Sequence, residues 1–554
     1  MTAEPSASAE AAGRLNVVGI DVRRFPWIRP LSGDYAYNFS QVEGLFAGNP
    51  LDAGAWRDAV QRAQHHPRDH GRIAGLIAAQ QEQRGAPTEA RTAAARLADP
   101  ATVAVVTGQQ AGVFGGPMYT LLKAITALQL ARRTEREQGA PAVAIFWVEA
   151  EDHDWEEIKG CTVLDAEFQP RAVALADLEG AGERPIAQLT LDHGVEQTID
   201  ELAGLLQQTD YTERVLADIR AAWKPGAGMS RAFATWLETI LGPHGLVVFE
   251  SADPAAKPLV AGIFAKELSA PGQTAALAAR AGEELAARGH APQVVPQADN
   301  VSLFSIEEGR KSIKRQGDQL AIGDRTFDVA TLVATAEASP ASFSPNVLLR
   351  PIVQDTLFPT ICYVAGPSEL AYLGQLRDVY RQFGVPMPLI FPRTTATLLD
   401  SGATRFLKKY HVDFADLRTP DESALNKLLA SQLPASVEQS LRDAGSQTDE
   451  AMRRVMEALP QLDPTLVGAA KTTLGKMTHE LQSLHSKVIH AAKKRDETLR
   501  RQFMRAQAQA FPQGHPQERA LGVIYFLNKY GPSLVDLLLD DLGVDPGMHW
   551  LITL

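Results

Sequence analysis

The stretch 107–120, reading TGQQAGVFGGPMYT, does most to restrict what this chain can fold into. An apolar, β-branched run at 102–106 precedes it, and apolar residues recur at helical spacing from Leu121 to Ala131 after it. A β-type run feeding a 3.6-residue period through glycines predicts a strand, a tight loop and a helix. Such a loop lets backbone N–H groups approach a ligand, and the start of the helix carries partial positive charge. The segment is therefore a ready anion or nucleotide site. Its spacing matches neither G-x-G-x-x-G nor G-x-x-x-x-G-K-[ST], which argues against an ordinary dinucleotide fold and a P-loop ATPase.

The same alternation continues down the chain. Residues 142–148, AVAIFWV, form a continuous apolar run of the kind buried on both faces of a sheet. Runs at 245–250, 360–364 and 388–391 read alike, with a helix expected at 368–383 between the last two. This is the pattern of an α/β fold around a parallel sheet. Between 166 and 345 helices dominate, at 196–208, 211–222, 229–242 and 256–287, followed by short polar strands near 301–304 and 320–322. That region reads as a helical and β-hairpin insertion. From 422 to 510 the chain is helical. Leu474, Met477, Leu481, Leu484 and Val488 step by three and four, the signature of a coiled-coil seam, and 425–441 can pack back on it as an antiparallel hairpin. An arm of this kind either dimerises or braces another domain. The expected divisions are a disordered tail at 1–15, a first core part at 16–165, the insertion at 166–345, a second core part at 346–420, the helical arm at 421–511, and a C-terminal segment returning to the core at 512–554.

A chain of 554 residues is too long for one core. Its net charge of −12 speaks against a general nucleic-acid binder. Two cysteines, Cys161 and Cys362, make neither a disulfide framework nor a cysteine-rich zinc site. They read as buried, inert side chains in a reducing cytoplasm. No apolar run reaches the ~18 residues of a membrane span, and residues 1–13 lack the basic and apolar regions of a signal peptide.

Four groups of residues carry candidate chemistry. In the loop, Gly108, Gly112, Gly115 and Gly116 can cradle phosphate, with Thr107, Gln109, Gln110 and Thr120 adding hydrogen bonds and Lys123 one turn into the helix. The plainer reading is a tight structural turn with a solvated lysine; the adjacent glutamines favour ligand contact. The second group, Glu149 to Glu157 (EAEDHDWEE), falls at the carboxyl end of a strand, where open α/β sheets bind ligands. Glu149, Glu151, Asp152, His153 and Asp154 can ligate a metal, hold an ammonium or supply a general base. An acidic helix start explains Asp154, Glu156 and Glu157 but not His153 or the Glu149/Glu151 pair. The third group is Gln354 and Asp355, then Gly366-Pro367-Ser368-Glu369, where Ser368 is a natural N-cap and capping competes with ligand binding. Arg393, after the next strand, is either an anion clamp or half of a surface salt bridge. The fourth is Asn528 and Lys529, a candidate second nucleotide site among aromatics that read as core. No G-x-S-x-G, H-E-x-x-H or C-x-x-C pattern is present.

Five of these stretches together resemble the cysteine-adding enzymes of bacillithiol biosynthesis, the BshC cysteine ligase family. They are TGQQAGVFGGPMYTLLKAITALQLA (107–131), FWVEAEDHDWEEI (146–158), LLRPIVQDTLFPTICYVAGPSELAYLGQL (348–376), VPMPLIFPR (385–393) and ERALGVIYFLNKYG (518–531). The resemblance implies a Rossmann-like core similar to nucleotidyltransferases, connecting insertions and a coiled coil that forms a homodimer. It also implies a cytoplasmic reaction joining the carboxyl of L-cysteine to the amine of glucosaminyl-malate. Amide formation from a free carboxylate is uphill in water, so ATP or another nucleotide is expected to activate the acid; whether a metal takes part is left open, Mg²⁺ with the nucleotide being one option. No protein-held metal site is expected. In that chemistry the loop, Thr120 and Lys123 hold phosphates. Glu149, Glu151 and Asp152 grip an ammonium, His153 takes the amine proton, and Arg393 clamps the malate carboxylates. Two other readings stay open: a metal-dependent hydrolase or transferase built on Glu149–Asp154, and a non-catalytic nucleotide-binding scaffold. Dense polar clusters at strand ends weigh against the scaffold.

Overall fold

The computed structural model describes residues 15–307, 309–419, 421–432, 435–495 and 497–554. The expected tail, apart from Leu15, lies outside the described residues. The chain forms two units, one running to Thr397 and resumed by Gln517–Ile552, the other Leu398–Pro516.

The first unit is built on five parallel strands: β1 (Val103–Gln110), β2 (Ala142–Glu149), β3 (Val247–Glu250), β4 (Thr360–Ala365) and β5 (Leu389–Pro392). Their order is β5-β4-β1-β2-β3, with Gln110 opposite Glu149 and Thr107 opposite Val364. The strands are buried almost throughout, which is why they read as continuous apolar runs rather than alternating ones. The long helix α1 (Met118–Gln138) returns the chain from β1 to β2 and ends on Gly139 in the left-handed conformation, φ 67°. Trp147, Phe249, Ile352, Tyr380 and Ile390 belong to one continuous core cluster.

Several boundaries differ from expectation. Strand β1 runs on to Gln110, so Gly108, Gln109 and Gln110 are strand residues held by β2 rather than loop residues. Strand β3 comes from within 166–345, so that region supplies an edge of the core sheet as well as an insertion. The remainder of it holds helices, strand Pro170–Ala174 paired with Gly160–Leu164, and a five-stranded antiparallel sheet ordered Arg325–Asp328, Gln319–Ile322, Lys311–Gln316, Asn300–Ser305, Phe343–Pro345. The helix expected at 256–287 breaks at Pro271-Gly272, where Gly272 has φ 84°, into Ala261–Ser269 and Gln273–Ala287. The one expected at 368–383 is two, Pro367–Leu373 and Arg377–Phe383, parted at Gly374, on which the Phe46 ring packs.

The second unit is helical. Helices Ala435–Ala458 and Leu466–Arg495 form an antiparallel hairpin, tied by His485 and Glu438 at 3.4 Å. Leu474, Leu481 and Val488 are half-buried, while Met477 and Leu484 stay exposed. The unit begins at Leu398, earlier than the expected 421, and takes in helix Ser401–Tyr410.

Candidate active site

Strands β2 and β3 lie on one side of β1, and β4 and β5 on the other. Loops therefore leave β1 and β4 in opposite directions and open a crevice above their carboxyl ends, the usual place for a ligand in a doubly wound sheet. A cleft of about 320 Å³ occurs there. Gly108, Gln109 and Gln110 line it from β1, Trp147 and Glu149 from β2, and Asp152 and Glu157 from the segment after β2. Arg310, Asn346 and Arg350 come from the antiparallel sheet and the helix following it; Tyr363, Glu369 and Tyr372 complete the wall from β4 and beyond.

Two arginines share the cleft with four carboxylates, Glu149, Asp152, Glu157 and Glu369. Arg350 donates to the Tyr372 hydroxyl at 2.8 Å and to Gln354 Oε1 at 3.3 Å, and its Nε lies 3.8 Å from Glu149. Burial works against its charge, but Tyr372, Tyr363, Glu149 and Glu369 more than offset that and hold it firmly protonated. Arg310 donates to Asp152 at 3.3 Å and lies over the Phe304 ring at 3.8 Å, and its Nε is buried with no hydrogen-bond partner. Glu149 accepts from the Trp147 indole and the Glu151 N–H, both at 3.1 Å. Gln110 donates to Asp152 at 2.9 Å. Glu157 is exposed as a residue, but partial desolvation of its carboxyl, with Asp154 and Asp152 beside it, pushes that group above its ordinary value. Such a cleft can hold a molecule carrying both an ammonium and a carboxylate.

Other expected residues are placed differently. Lys123 is buried beneath the cleft, paired with Glu369 and donating to the Gly108 carbonyl at 2.6 Å, so its ammonium is spent inside the protein. Glu369 also accepts from Gly366 N–H at 2.7 Å and Tyr363 OH at 2.8 Å; against the effect of burial, Lys123, the Gly366 N–H and Arg350 keep its carboxyl below its ordinary value. Gly366, not Ser368, is the N-cap, because Glu369 reaches back to the Gly366 N–H; Ser368 is not among the lining residues. Thr107 donates to Val364 O at 3.0 Å and pins β1 to β4.

The loop glycines Gly112, Gly115 and Gly116 are buried away from the lining. A Cβ on Gly115, at φ 95°, would meet the Trp236 ring at 2.3 Å, and one on Gly112 would meet Gly116 at 2.8 Å. The start of α1 is closed as well: Met118 N–H donates to Leu521 O at 2.8 Å, and Thr120 is buried. These glycines answer to packing, the plainer of the two readings.

Glu151 is buried and paired with Lys257, which also donates to Phe343 O at 3.1 Å. Burial raises the Glu151 carboxyl, and Lys257 opposes it. His153 stands behind Asp152. Its Nδ1 is 3.2 Å from both Asp152 Oδ1 and Arg310 Nη1, so it either donates to the one or accepts from the other. Asp154 caps the helix Trp155–Ile158 through Glu157 N–H at 3.2 Å. Gln354 and Asp355 are buried, joined to each other at 2.9 Å, with Tyr380 OH on Asp355 at 2.5 Å. Arg393 makes a buried ion pair with Glu518 at 2.6 Å rather than a surface one or a clamp over the cleft. Asn528 donates to Gln207 O at 2.8 Å, and Lys529 lies 5.2 Å from the Tyr530 ring centre. Among the described residues, no three His, Cys, Asp or Glu side chains converge as a metal-ligand set. Among them, too, no helix is long and apolar enough to cross a membrane.

Arg310, Arg350, Tyr363, Tyr372 and Glu157 are cleft residues that sequence reasoning missed. Arg350 stands in a singled-out stretch, directly before Pro351 at a helix start; Arg310 lies in a turn-rich hairpin with no motif around it.

Two family models match this chain: Bacillithiol biosynthesis BshC, N-terminal Rossmann-like domain, over residues 18–394, and Bacillithiol biosynthesis BshC, C-terminal coiled-coil domain, over 396–554. The chain belongs to the BshC family. The junction between the two BshC domains falls within a few residues of Thr397, where the first structural unit gives way to the second. Among curated relatives, each named "Putative cysteine ligase BshC", that of Salinibacter ruber is 33% identical over 554 residues, covering 99% of this chain and 100% of the relative. That of Koribacter versatilis is 33% identical over 532 residues, covering 95% and 98%. That of Heliobacterium modesticaldum is 33% identical over 469 residues, covering 82% and 84%.

Proposed function

We propose that the chain is a cysteine ligase of bacillithiol biosynthesis, forming an amide between the carboxyl of L-cysteine and the amine of glucosaminyl-malate. The single observation that carries this reading is the cleft at the β1/β4 switch point, where Arg310 and Arg350 oppose Glu149, Asp152 and Glu157. Both substrates bear amine and carboxylate together, and the relatives' printed names, which speak of a cysteine ligase, support the cysteine half of the reaction. Arg350, fixed by Tyr372 and Gln354, suits the reacting carboxyl and the negative charge that grows on it. Glu149 suits the cysteine ammonium. Arg310 suits the malate carboxylates, taking the part first given to Arg393.

ATP or another nucleotide supplies the activation: the cysteine carboxylate takes a nucleotidyl or a phosphoryl group from it, releasing pyrophosphate or the nucleoside diphosphate, and the nucleoside monophosphate or phosphate leaves when the amine attacks. Its charge falls to the arginines in this reading, since Lys123 and the loop glycines are occupied by the protein. The proton lost by the attacking amine passes to Glu157, whose raised basicity fits a proton acceptor, while His153 positions Asp152. The exposed apolar Val455, Leu462, Leu466, Met477 and Leu484 of the helical hairpin support pairing with a second copy of the chain. Two buried free cysteines fit a reducing cytoplasm.

Mass spectrometry of thiols from cells with and without the gene tests the reaction. Loss of bacillithiol with build-up of glucosaminyl-malate is expected; unchanged bacillithiol would refute the proposal.

A further inference from the structure

Beside the charged cleft, and sharing Asn346 with it, lies a second compartment of about 220 Å³. Its walls include Ala275, Val294, Pro296 and Leu348, with Asn300 and Ser302 among them, and no lining residue is charged. Ser302 is 1 % exposed, and its N–H donates to Glu267 at 2.7 Å. Its hydroxyl lies near enough to Glu267 to favour that carboxylate, yet it makes no hydrogen bond of ordinary geometry. Asn300 Oδ1 is likewise buried and unpartnered. A buried polar atom without a partner is costly and uncommon, so Asn300 Oδ1, with the Ser302 hydroxyl held only loosely by Glu267 beside it, points to a ligand that completes them.

The volume is less than the ~300 Å³ at which complete small-molecule sites begin, so it suits one ring of a larger ligand whose remainder lies in the cleft. The lining also selects the chemistry. A phosphate or carboxylate would meet no cation there, and an ammonium no anion. A neutral polyhydroxylated ring fits both features, its C–H face on Val294, Pro296 and Leu348 and its hydroxyls on Ser302 and Asn300.

We propose that this compartment is a sugar subsite: it holds the hydroxylated side of the glucosamine ring of glucosaminyl-malate, while the ring's amine and the malate, borne on neighbouring carbons, face the adjoining cleft, the amine toward Glu157 and the carboxylates against Arg310. The inference rests on the ligase reading for the identity of the acceptor and adds how that acceptor is oriented. Calorimetric titration of glucosaminyl-malate and of malate alone into the full chain tests it, using wild type, Ala275→Leu and Ser302→Ala. Wild type is expected to bind glucosaminyl-malate at least about tenfold more tightly than malate. Ala275→Leu, which fills the compartment, should abolish that preference. Ser302→Ala should reduce it several-fold, the scale of one neutral hydrogen bond. Malate affinity unchanged in both variants shows that fold and charged cleft are intact. A preference that survives in Ala275→Leu, or its absence in a wild type that still makes product, overturns the subsite and leaves the ligase reading standing. Loss of ATP binding in Ala275→Leu with the sugar preference retained also overturns it. A wild type that binds neither ligand and makes no product ends both.

Discussion

Glu157 carries the most specific chemical expectation at the level of single side chains. Its carboxyl lines the cleft although the residue is otherwise exposed, and partial desolvation there, with Asp154 and Asp152 nearby, raises it from 4.5. A base acts only when deprotonated, so ligation should fall as the pH drops through this raised value. Glu157→Gln should lower kcat by about 100-fold, the lower scale of acid–base contributions, and flatten that acid limb. A variant with wild-type kcat and an unchanged pH profile would remove Glu157 from the reaction. Gln109, Gln110, Glu149, Asp152 and Glu369, all legible beforehand as candidates, do line the cleft, because a strand's carboxyl end is a position that sequence alone locates. Lys123 and Arg393 misled for the opposite reason. A buried cation looks like a ligand contact until its carboxylate is known, and Glu369 and Glu518 reach them from remote parts of the chain.

Among the elements, the segment joining β1 to α1 shows how one glycine-rich pattern serves two different ends. The strand–loop–helix order was legible, and so was the parallel sheet. What the pattern withheld was the packing on the loop, since Trp236 and Leu521 arrive from distant segments to fill the space an anion would need. Gly115→Ala combines a left-handed φ of 95° with a clash against a buried indole. It should destabilise the fold by ~3 kcal/mol, seen as a lowered melting temperature, while the KM for ATP in surviving enzyme stays unchanged. A raised KM for ATP with unaltered stability would restore the phosphate-cradle reading. Two expected long helices each proved to be a pair: one breaks at Pro271-Gly272, a turn signal the sequence does carry, and the other at Gly374, inside an otherwise continuous helical pattern.

For the molecule as a whole, the C-terminal return ties together segments far apart in the chain. Residues Gln517–Ile552 rejoin the first unit and bring Glu518 to Arg393 and His549 between Thr395 and Thr397 at 3.0 Å each. Burial outweighs the help of Glu518 and pushes the imidazole down to about 4 from 6.5. The unfolded chain therefore takes up this proton below pH 6.5 and the folded one only near pH 4. Stability should be lost as the pH falls through that window, by roughly 3 kcal/mol, with no further loss from this group below it. His549→Gln, followed by chemical denaturation from pH 7 to 4, should flatten this part of the dependence; an unaltered slope would contradict the assignment. The division into core and arm could be read from the change in periodicity, but the turning point at Leu398 could not, because helix Ser401–Tyr410 carries no mark of the unit it joins. The most direct measurement of the central claim combines purified chain, L-cysteine, glucosaminyl-malate and ATP, with mass detection of the amide, for wild type and Arg350→Ala. Product from wild type and at least ~100-fold less from a folded Arg350→Ala is the expected result; equal rates, or no product from wild type, would contradict the account.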